Sequence, residues 1–333
     1  MLPFKRVVVT GGGGFVGLAL TKRLRQAGVE VVSIQRGEYV EHKYLAVEAV
    51  RADLTDPDFD LTPYCKGVDV IFHTAAKVEM WGPSREFEAV NVEATRRLLT
   101  MAQKAGVGRF VYTSSPSVVA SEKNLCGVDE SQPYPRRYLA EYPRTKALAE
   151  KLVLAAHHES FRTIALRPHL IFGPGDTNLI PTVIERASQG RLPQIGQGKN
   201  LSDFCFIDDC VSAHICAAIA LQTNNNAGGQ AYFITQGEPM LLWEWIREVL
   251  QRARVRPINK KIPFKLAYAL AACLEKASQI FPSLGEPRLT RFLVLQMATD
   301  HYFSIDAAKR ELGFVPKYSM KEALDLTFAD IPV

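Results

Sequence analysis

This chain has no long run of uncharged apolar residues. Its most hydrophobic stretch, Ile262 to Phe281, is broken by Lys265, Glu275 and Lys276, too much charge for a membrane span. The opening residues run straight into Val7-Val8-Val9, which reads as a strand and leaves no room for a signal peptide. Cysteine is sparse: six residues stand without paired spacing, which excludes a disulfide framework and leads us to expect a reduced, cytoplasmic protein. The net charge is a mild +5, with Lys and Arg scattered rather than gathered into runs, so nucleic-acid binding is not expected. Cys205, Cys210, His214 and Cys216 lie close together but match no common zinc spacing. They are read as core residues, with no metal.

Repeats and low-complexity linkers are absent as well, so all 333 residues are available to one large unit or two unequal ones. Strand-like and helix-like segments alternate through the first half. Strands are predicted at Arg6–Thr10, Glu30–Ile34, Val47–Ala52, Val70–His73, Arg109–Thr113 and Thr163–Leu166. Helices are predicted over Phe15–Ala27, Phe87–Lys104 and from about Tyr138 to His158. That alternation implies an α/β doubly wound parallel sheet of Rossmann type. The second half adds a short strand at Phe204–Ile207, a helix capped by Asp208 and Asp209, and a strand at Tyr232–Thr235. Helices follow at Glu244–Arg252, Pro263–Gln279 and Ile305–Leu312. We expect residues 1–172 to form a dinucleotide-binding domain, with 203–235 returning to it. Residues 173–202 and 236–333 would form a smaller, mostly helical substrate domain.

Thr10-Gly11-Gly12-Gly13-Gly14-Phe15-Val16-Gly17 lies between the first strand and first helix. Glycine permits a tight turn and close approach of a pyrophosphate, and the helix amino terminus offers free N–H groups. Gly11, Gly14, Phe15, Val16 and Gly17 are therefore candidate cofactor contacts. An NAD site normally ends the second strand in Asp or Glu. This chain has Ser33-Ile34-Gln35-Arg36; Arg36 suits a 2′-phosphate, which points to NADP(H), with NAD(H) a possible alternative. Asp53 and Leu54 end the third strand near the expected adenine. Small Ala75 and Ala76 after the fourth let a cofactor lie against the backbone.

Tyr142-Pro143-Arg144-Thr145-Lys146 places a phenol and an ammonium group on one helix face. A nearby lysine cation would lower the phenol's pKa and fit Tyr142 for proton transfer to a substrate oxygen. Because a residue before proline avoids helical dihedrals, the regular helix is predicted to start at Pro143. Upstream, the fifth strand ends in Thr113-Ser114-Ser115, where a hydroxyl at the carboxyl edge points toward the crevice.

With these motifs in this order the chain resembles the extended short-chain dehydrogenase/reductases, and within them the 3β-hydroxysteroid dehydrogenase branch. The resemblance rests on Thr10–Gly17, His73-Thr74-Ala75-Ala76, Ala76–Gly82, Tyr112–Ser115, Tyr142–Lys146 and Arg167–Asp176. It implies that Ser115, Tyr142, Lys146 and Asn91 are catalytic, with Asn91 supporting the lysine and an active-site water. It also implies that Lys77, Thr113 and Pro168 join the cofactor site. A homodimer and association with enzymes of the same pathway are further implications. The likeness is greatest to reductases of bacterial long-chain olefin biosynthesis, which turn a 2-alkyl-3-oxoalkanoate into the 3-hydroxy acid with NADPH. For such a lipid-like keto acid, Met80, Trp81, His169 and Phe172 are the candidate pocket residues, and the 263–281 helix is either a lid, core or a peripheral membrane contact. A sterol-carboxylate or hydroxysteroid dehydrogenase and a sugar-nucleotide epimerase share the scaffold. A non-catalytic NADP(H) sensor would have little need of Ser115, Tyr142 and Lys146 together.

Overall fold

The computed structural model describes residues 2–329; Met1 and the last four residues of the expected 236–333 unit lie outside them. Seven parallel strands make the central sheet: β1 (Arg6–Thr10), β2 (Glu30–Gln35), β3 (Glu48–Arg51), β4 (Val70–His73), β5 (Arg109–Thr113), β6 (Arg162–Pro168) and β7 (Ala231–Ile234). Their order is β7-β6-β5-β4-β1-β2-β3. The strand order therefore reverses between β1 and β4, and a crevice opens there at the carboxyl edge. Val7, Val8 and Val9 are wholly buried, because helices cover both faces of the sheet and each side chain of β1 meets a core.

On one face α1 (Phe15–Gln26) packs beside α4 (Ile207–Thr223). On the other, α2 (Ala94–Lys104) packs beside α3 (Glu141–Ala155). The later part of the chain adds α5 (Phe264–Ile280) and a small four-stranded sheet that periodicity did not predict. That sheet runs Met240–Leu241, Leu201–Ser202, His301–Phe303, Leu125–Val128. Among the described residues no helix is long and apolar enough to cross a membrane, and no group of three His, Cys, Asp or Glu is placed to hold a metal. Cys205, Cys210 and His214 are buried, and Cys216 is half-buried.

Several boundaries differ from expectation for physical reasons. The helix expected over Phe87–Lys104 starts at Ser84 and is interrupted by a π-helical turn, Glu88–Glu93, before α2 continues. The Thr95 hydroxyl, in the first turn of α2, donates to the carbonyl of Asn91 in that widened turn at 2.8 Å. The α3 helix begins at Glu141, two residues before the predicted Pro143. Pro143 then sits in the first turn, where its missing N–H would have had no partner within the helix. Asp208 and Asp209 do not cap α4; Phe206 occupies that position. The Asp209 carboxylate instead accepts from Gln236 (2.6 Å), the Lys317 amide (2.9 Å) and the Tyr318 amide (3.3 Å), tying the carboxyl-terminal strap to the helix. The Phe204–Ile207 strand is reduced to Cys205–Phe206. The last predicted helix ends at Leu312, with Gly313 left-handed at φ 65° as its stop.

Candidate active site

The glycine loop is shaped by what surrounds each position. Gly11 has φ 73°, and a side chain there would drive a Cβ to 2.7 Å from the Ala75 amide. Gly17, in α1, is packed so closely on Gly11 that a Cβ would also come within 2.7 Å of Thr74 Oγ1. These two glycines let the β1, β4 and α1 termini touch. A Cβ on Gly12 would collide with Ser33, and one on Gly13 with the Tyr39 ring. Gly14 is exposed and faces open space except for the Gly11 carbonyl at 3.3 Å. It stands at the amino end of α1, where an anion can approach unbonded N–H groups. This cradle fits a dinucleotide pyrophosphate. Phe15 and Val16 begin α1 half-buried against the core, and Ala76 is half-buried after β4.

Gln35 ends β2 and Arg36 follows it. Gln35 is buried and accepts from Ser33 Oγ at 2.6 Å, whereas Arg36 is exposed. No carboxylate stands at that strand end. Asp53 accepts from the Thr55 amide (2.8 Å) and hydroxyl (2.7 Å). The Thr55 amide bond is the largest influence holding its carboxyl below the usual range; the Thr55 hydroxyl and Arg36 act in the same direction against partial burial. Leu54 is half-buried beside the core under β2.

Lys146 is buried, and its Nζ donates to the Thr113 carbonyl at 2.5 Å and lies 4.2 Å from the Tyr112 ring centroid. Burial pulls its pKa down to about 7, against the opposing attraction of Glu150. The lysine thus has spare N–H groups near the end of β5, and a ribose hydroxyl would suit them. Tyr142 lies on the same helix face. Burial raises its pKa, and the Ser115 hydroxyl lowers it. The Lys146 nitrogen, one helical turn away, is directed at the Thr113 carbonyl. Ser115 Oγ accepts from the Ser117 amide (3.2 Å) and hydroxyl (3.0 Å), which turns it at the head of the Pro116–Val119 turn. Ser117 is a partner that sequence reasoning did not assign. Thr113 Oγ1 meets His214 Nε2 at 2.7 Å.

The Asn91 side chain accepts from the Lys77 amide (2.8 Å) and donates to the Lys77 carbonyl (3.1 Å) and Thr145 Oγ1 (3.0 Å). It therefore clamps the loop after β4 to α3. The Lys77 ammonium turns to Glu79 and Glu86, so it is the backbone of Lys77 that faces this network. His73 bridges further: Nδ1 meets Thr10 Oγ1 at 2.6 Å and Nε2 meets Thr95 Oγ1 at 2.8 Å. Burial, with Lys146 adding to it, drops its pKa to about 3, so the ring is neutral.

Arg167 supports α3 through a buried ion pair. Its Nε and Nη2 reach the Glu150 carboxylate at 3.0 and 2.7 Å, and Tyr134 donates to the same carboxylate at 2.6 Å. Nothing in spacing pointed to this pair, because its members lie on separate elements. Phe172, expected at the substrate crevice, is wholly buried among Phe204, Phe206 and Trp245; it belongs to the core. His169 is nearly buried beyond Pro168, with Nδ1 2.6 Å from Asp203 Oδ1. Met80 and Trp81 are half-buried on the loop after β4.

The chain matches the 3-beta hydroxysteroid dehydrogenase/isomerase family over residues 8–266. A 2-alkyl-3-oxoalkanoate reductase of Stenotrophomonas maltophilia is 41% identical over 96% of this chain and 97% of its own. The enzyme of that name in Shewanella oneidensis is 36% identical over 95% and 84%. A decarboxylating sterol-4-alpha-carboxylate 3-dehydrogenase of Mus musculus is 34% identical over 97% and 90%. Among solved structures, gox2253 superposes with TM-score 0.78 at 29% identity, covering 98% of this chain and 97% of that one. MoeE5 in complex with UDP-glucose and NAD superposes with TM-score 0.73 at 25% identity, covering 97% of each chain. An NAD(P)-dependent oxidoreductase on a Rossmann-type sheet, this chain belongs to the 3β-hydroxysteroid dehydrogenase/isomerase family.

Proposed function

We propose that the protein reduces the ketone of a 2-alkyl-3-oxoalkanoate to the secondary alcohol, with NADPH as the preferred reductant. The observation that carries this reading is the convergence of Tyr142, Ser115 and Lys146 at the carboxyl end of β5, next to the switch-point crevice. Bound NADPH supplies the hydride. The protein's own part is to hold the ketone oxygen and deliver the proton. Tyr142 donates its phenolic proton to that oxygen as the carbonyl carbon is reduced, and Ser115 bonds the oxygen while charge develops on it. Lys146, fixed by Thr113, holds the ribose with its remaining N–H groups and steadies the phenolate left on Tyr142.

Residues 1–172 with 203–235 carry the cofactor in this reading, and 173–202 with 236–333 cover the substrate side. The glycine loop with Asp53, Leu54, Ala75, Ala76, Thr113 and Pro168 forms the cofactor wall. Exposed Arg36, with no acidic residue at the end of β2, receives the 2′-phosphate. Met80 and Trp81 give the substrate apolar surface, which suits an alkyl chain better than a sugar. His169 lies beyond them at the end of β6.

The test is NADPH oxidation with a synthetic 2-alkyl-3-oxoalkanoate. Wild type is expected to turn over and Tyr142→Phe to lose at least a hundredfold in kcat, in keeping with general acid catalysis of about 10² to 10⁴. Turnover of sterol carboxylates but not of the keto acid would refute the substrate; cofactor binding without turnover of either would refute the chemistry. Arg36→Asp should move preference from NADPH toward NADH, and an unchanged preference would refute the 2′-phosphate contact.

A further inference from the structure

The basic residues look scattered along the sequence, yet the charge excess has one location. Residues 254–288 contain seven cations (Arg254, Arg256, Lys260, Lys261, Lys265, Lys276 and Arg288) and two carboxylates (Glu275 and Glu286). That excess of five equals the net charge of the entire chain, so the remainder is formally neutral. All seven cations are exposed. Of the two acids, Glu275 is buried and its charge is taken by Arg291 at 2.7 Å. One further carboxylate, Glu122, reaches this helix from outside and accepts from Tyr268.

The same segment holds the largest group of exposed apolar side chains. Leu266, Leu270, Ile280, Phe281 and Leu284 are 46 to 61% exposed. Together with Cys273 and Ala277 they recur every three or four residues, which gives a single stripe along α5 and its following turn. Ala267, Ala271, Glu275 and Ser278 form the buried stripe on the protein side. Lys265 and Lys276 line one flank of the apolar stripe, and the Arg254–Lys261 stretch leads into the helix. At 1.5 Å per residue, the 17-residue helix is about 25 Å long. A long helix with an apolar outer face inside a basic margin is the pattern that lies flat in a charged lipid interface.

We propose that α5, with the turn to Leu284 and the preceding basic stretch, is a docking surface for an anionic lipid bilayer. The leucines and aromatic side chain enter the headgroup boundary, and the lysines and arginines meet lipid phosphates. The surface gains its purpose from the lipid-substrate reading above, since a membrane-held keto acid would be met where it resides; its geometry does not depend on that reading. The complementary charge favours a lipid surface over a second copy of the chain, which would bring the same seven cations against themselves.

The test is co-flotation of the full chain with phosphatidylcholine vesicles, with and without phosphatidylglycerol. Retention is expected on the anionic vesicles, with little on the neutral ones, and salt near 0.5 M should release it as the Debye length shrinks to about 4 Å. Each cation near such a surface is worth about fivefold in partition, so the Lys260→Gln, Lys261→Gln, Lys265→Gln variant should lose about a hundredfold. Leu266→Glu with Leu270→Glu should abolish retention while leaving thermal unfolding and NADPH binding unchanged. Wild type that stays unbound, or floats equally with neutral vesicles, overturns the proposal. So does a dimer that the two glutamates convert to monomer, which would assign the stripe to a second copy. The flotation contains no keto acid, so it fails or succeeds independently of the reductase assay.

Discussion

Replacing Glu150 by leucine probes how α3 is held. In the native chain the Arg167 guanidinium makes two bonds to that carboxylate, at 3.0 and 2.7 Å, and the side chains are 4% and 0% exposed. Burial pulls the Arg167 pKa down, and Glu150 more than restores it. Arg167 Nη1 already lacks a partner, so removing the carboxylate leaves the cation without its bonded counter-charge, with only the attraction of Glu130 remaining, and Tyr134 without its acceptor. Breaking one side of such a pair costs about 3 to 5 kcal/mol, a large part of a typical stability of about 5 to 15 kcal/mol. Exchanging both members should cost far less, because packed apolar groups replace two desolvated charges. Equilibrium urea unfolding of Glu150→Leu, Arg167→Met and the double variant forms the cycle. The two single losses should exceed the double loss by at least about 3 kcal/mol, in keeping with the cost of an unpaired buried charge. Additive losses, or single losses below about 1 kcal/mol, would refute the view that this pair anchors α3 through charge.

Three further outcomes follow from the geometry. Lys146 titrates near 7 when folded and near 10.4 when unfolded, so between those values the unfolded chain holds the extra proton and stability rises with pH. The stability of wild type minus that of Lys146→Met should climb by up to about 1.4 kcal/mol per pH unit across that window, and a flat difference in urea titrations would count against the buried amine. Gly17→Ala should raise the dissociation constant for NADPH by at least tenfold, since its Cβ has no space between Gly11 and Thr74; fluorescence titration would expose an unaltered affinity. Asn91→Ala should lower kcat more than it raises KM by freeing the Lys77 loop from α3. Equal kcat in the two proteins would show that the clamp has no bearing on turnover.

The sheet and the phosphate loop were legible for a simple reason. A strand buried on both faces reads as Val7-Val8-Val9, and a loop pressed between three elements tolerates glycine alone at Gly11 and Gly17. The spacing of Tyr142 and Lys146 likewise survives translation into a helix face. Other features leave no local mark. A π turn adds one residue to a helix without disturbing its composition, so the partners that the Asn91 side chain finds in Lys77 and Thr145 could not be read from spacing. Phe172 could have faced crevice or core, because an aromatic ring carries no sign of which side it lies on. The Glu150–Arg167 pair joins a helix to a strand, and such a pairing emerges only when the chain has folded. Spacing puts Lys146 on the helix face of Tyr142, but the Thr113 carbonyl, on another element, decides where its nitrogen points.

The neutral ring of His73 has a mechanical consequence. Thr95 gives its hydroxyl proton to the Asn91 carbonyl, so it can only receive from Nε2, and Nδ1 is left to receive from Thr10. Each link has one permitted direction, from the nucleotide strand through the middle of the sheet to the widened turn. The floor of the crevice and the brace against α3 are thereby joined through one chain of bonds.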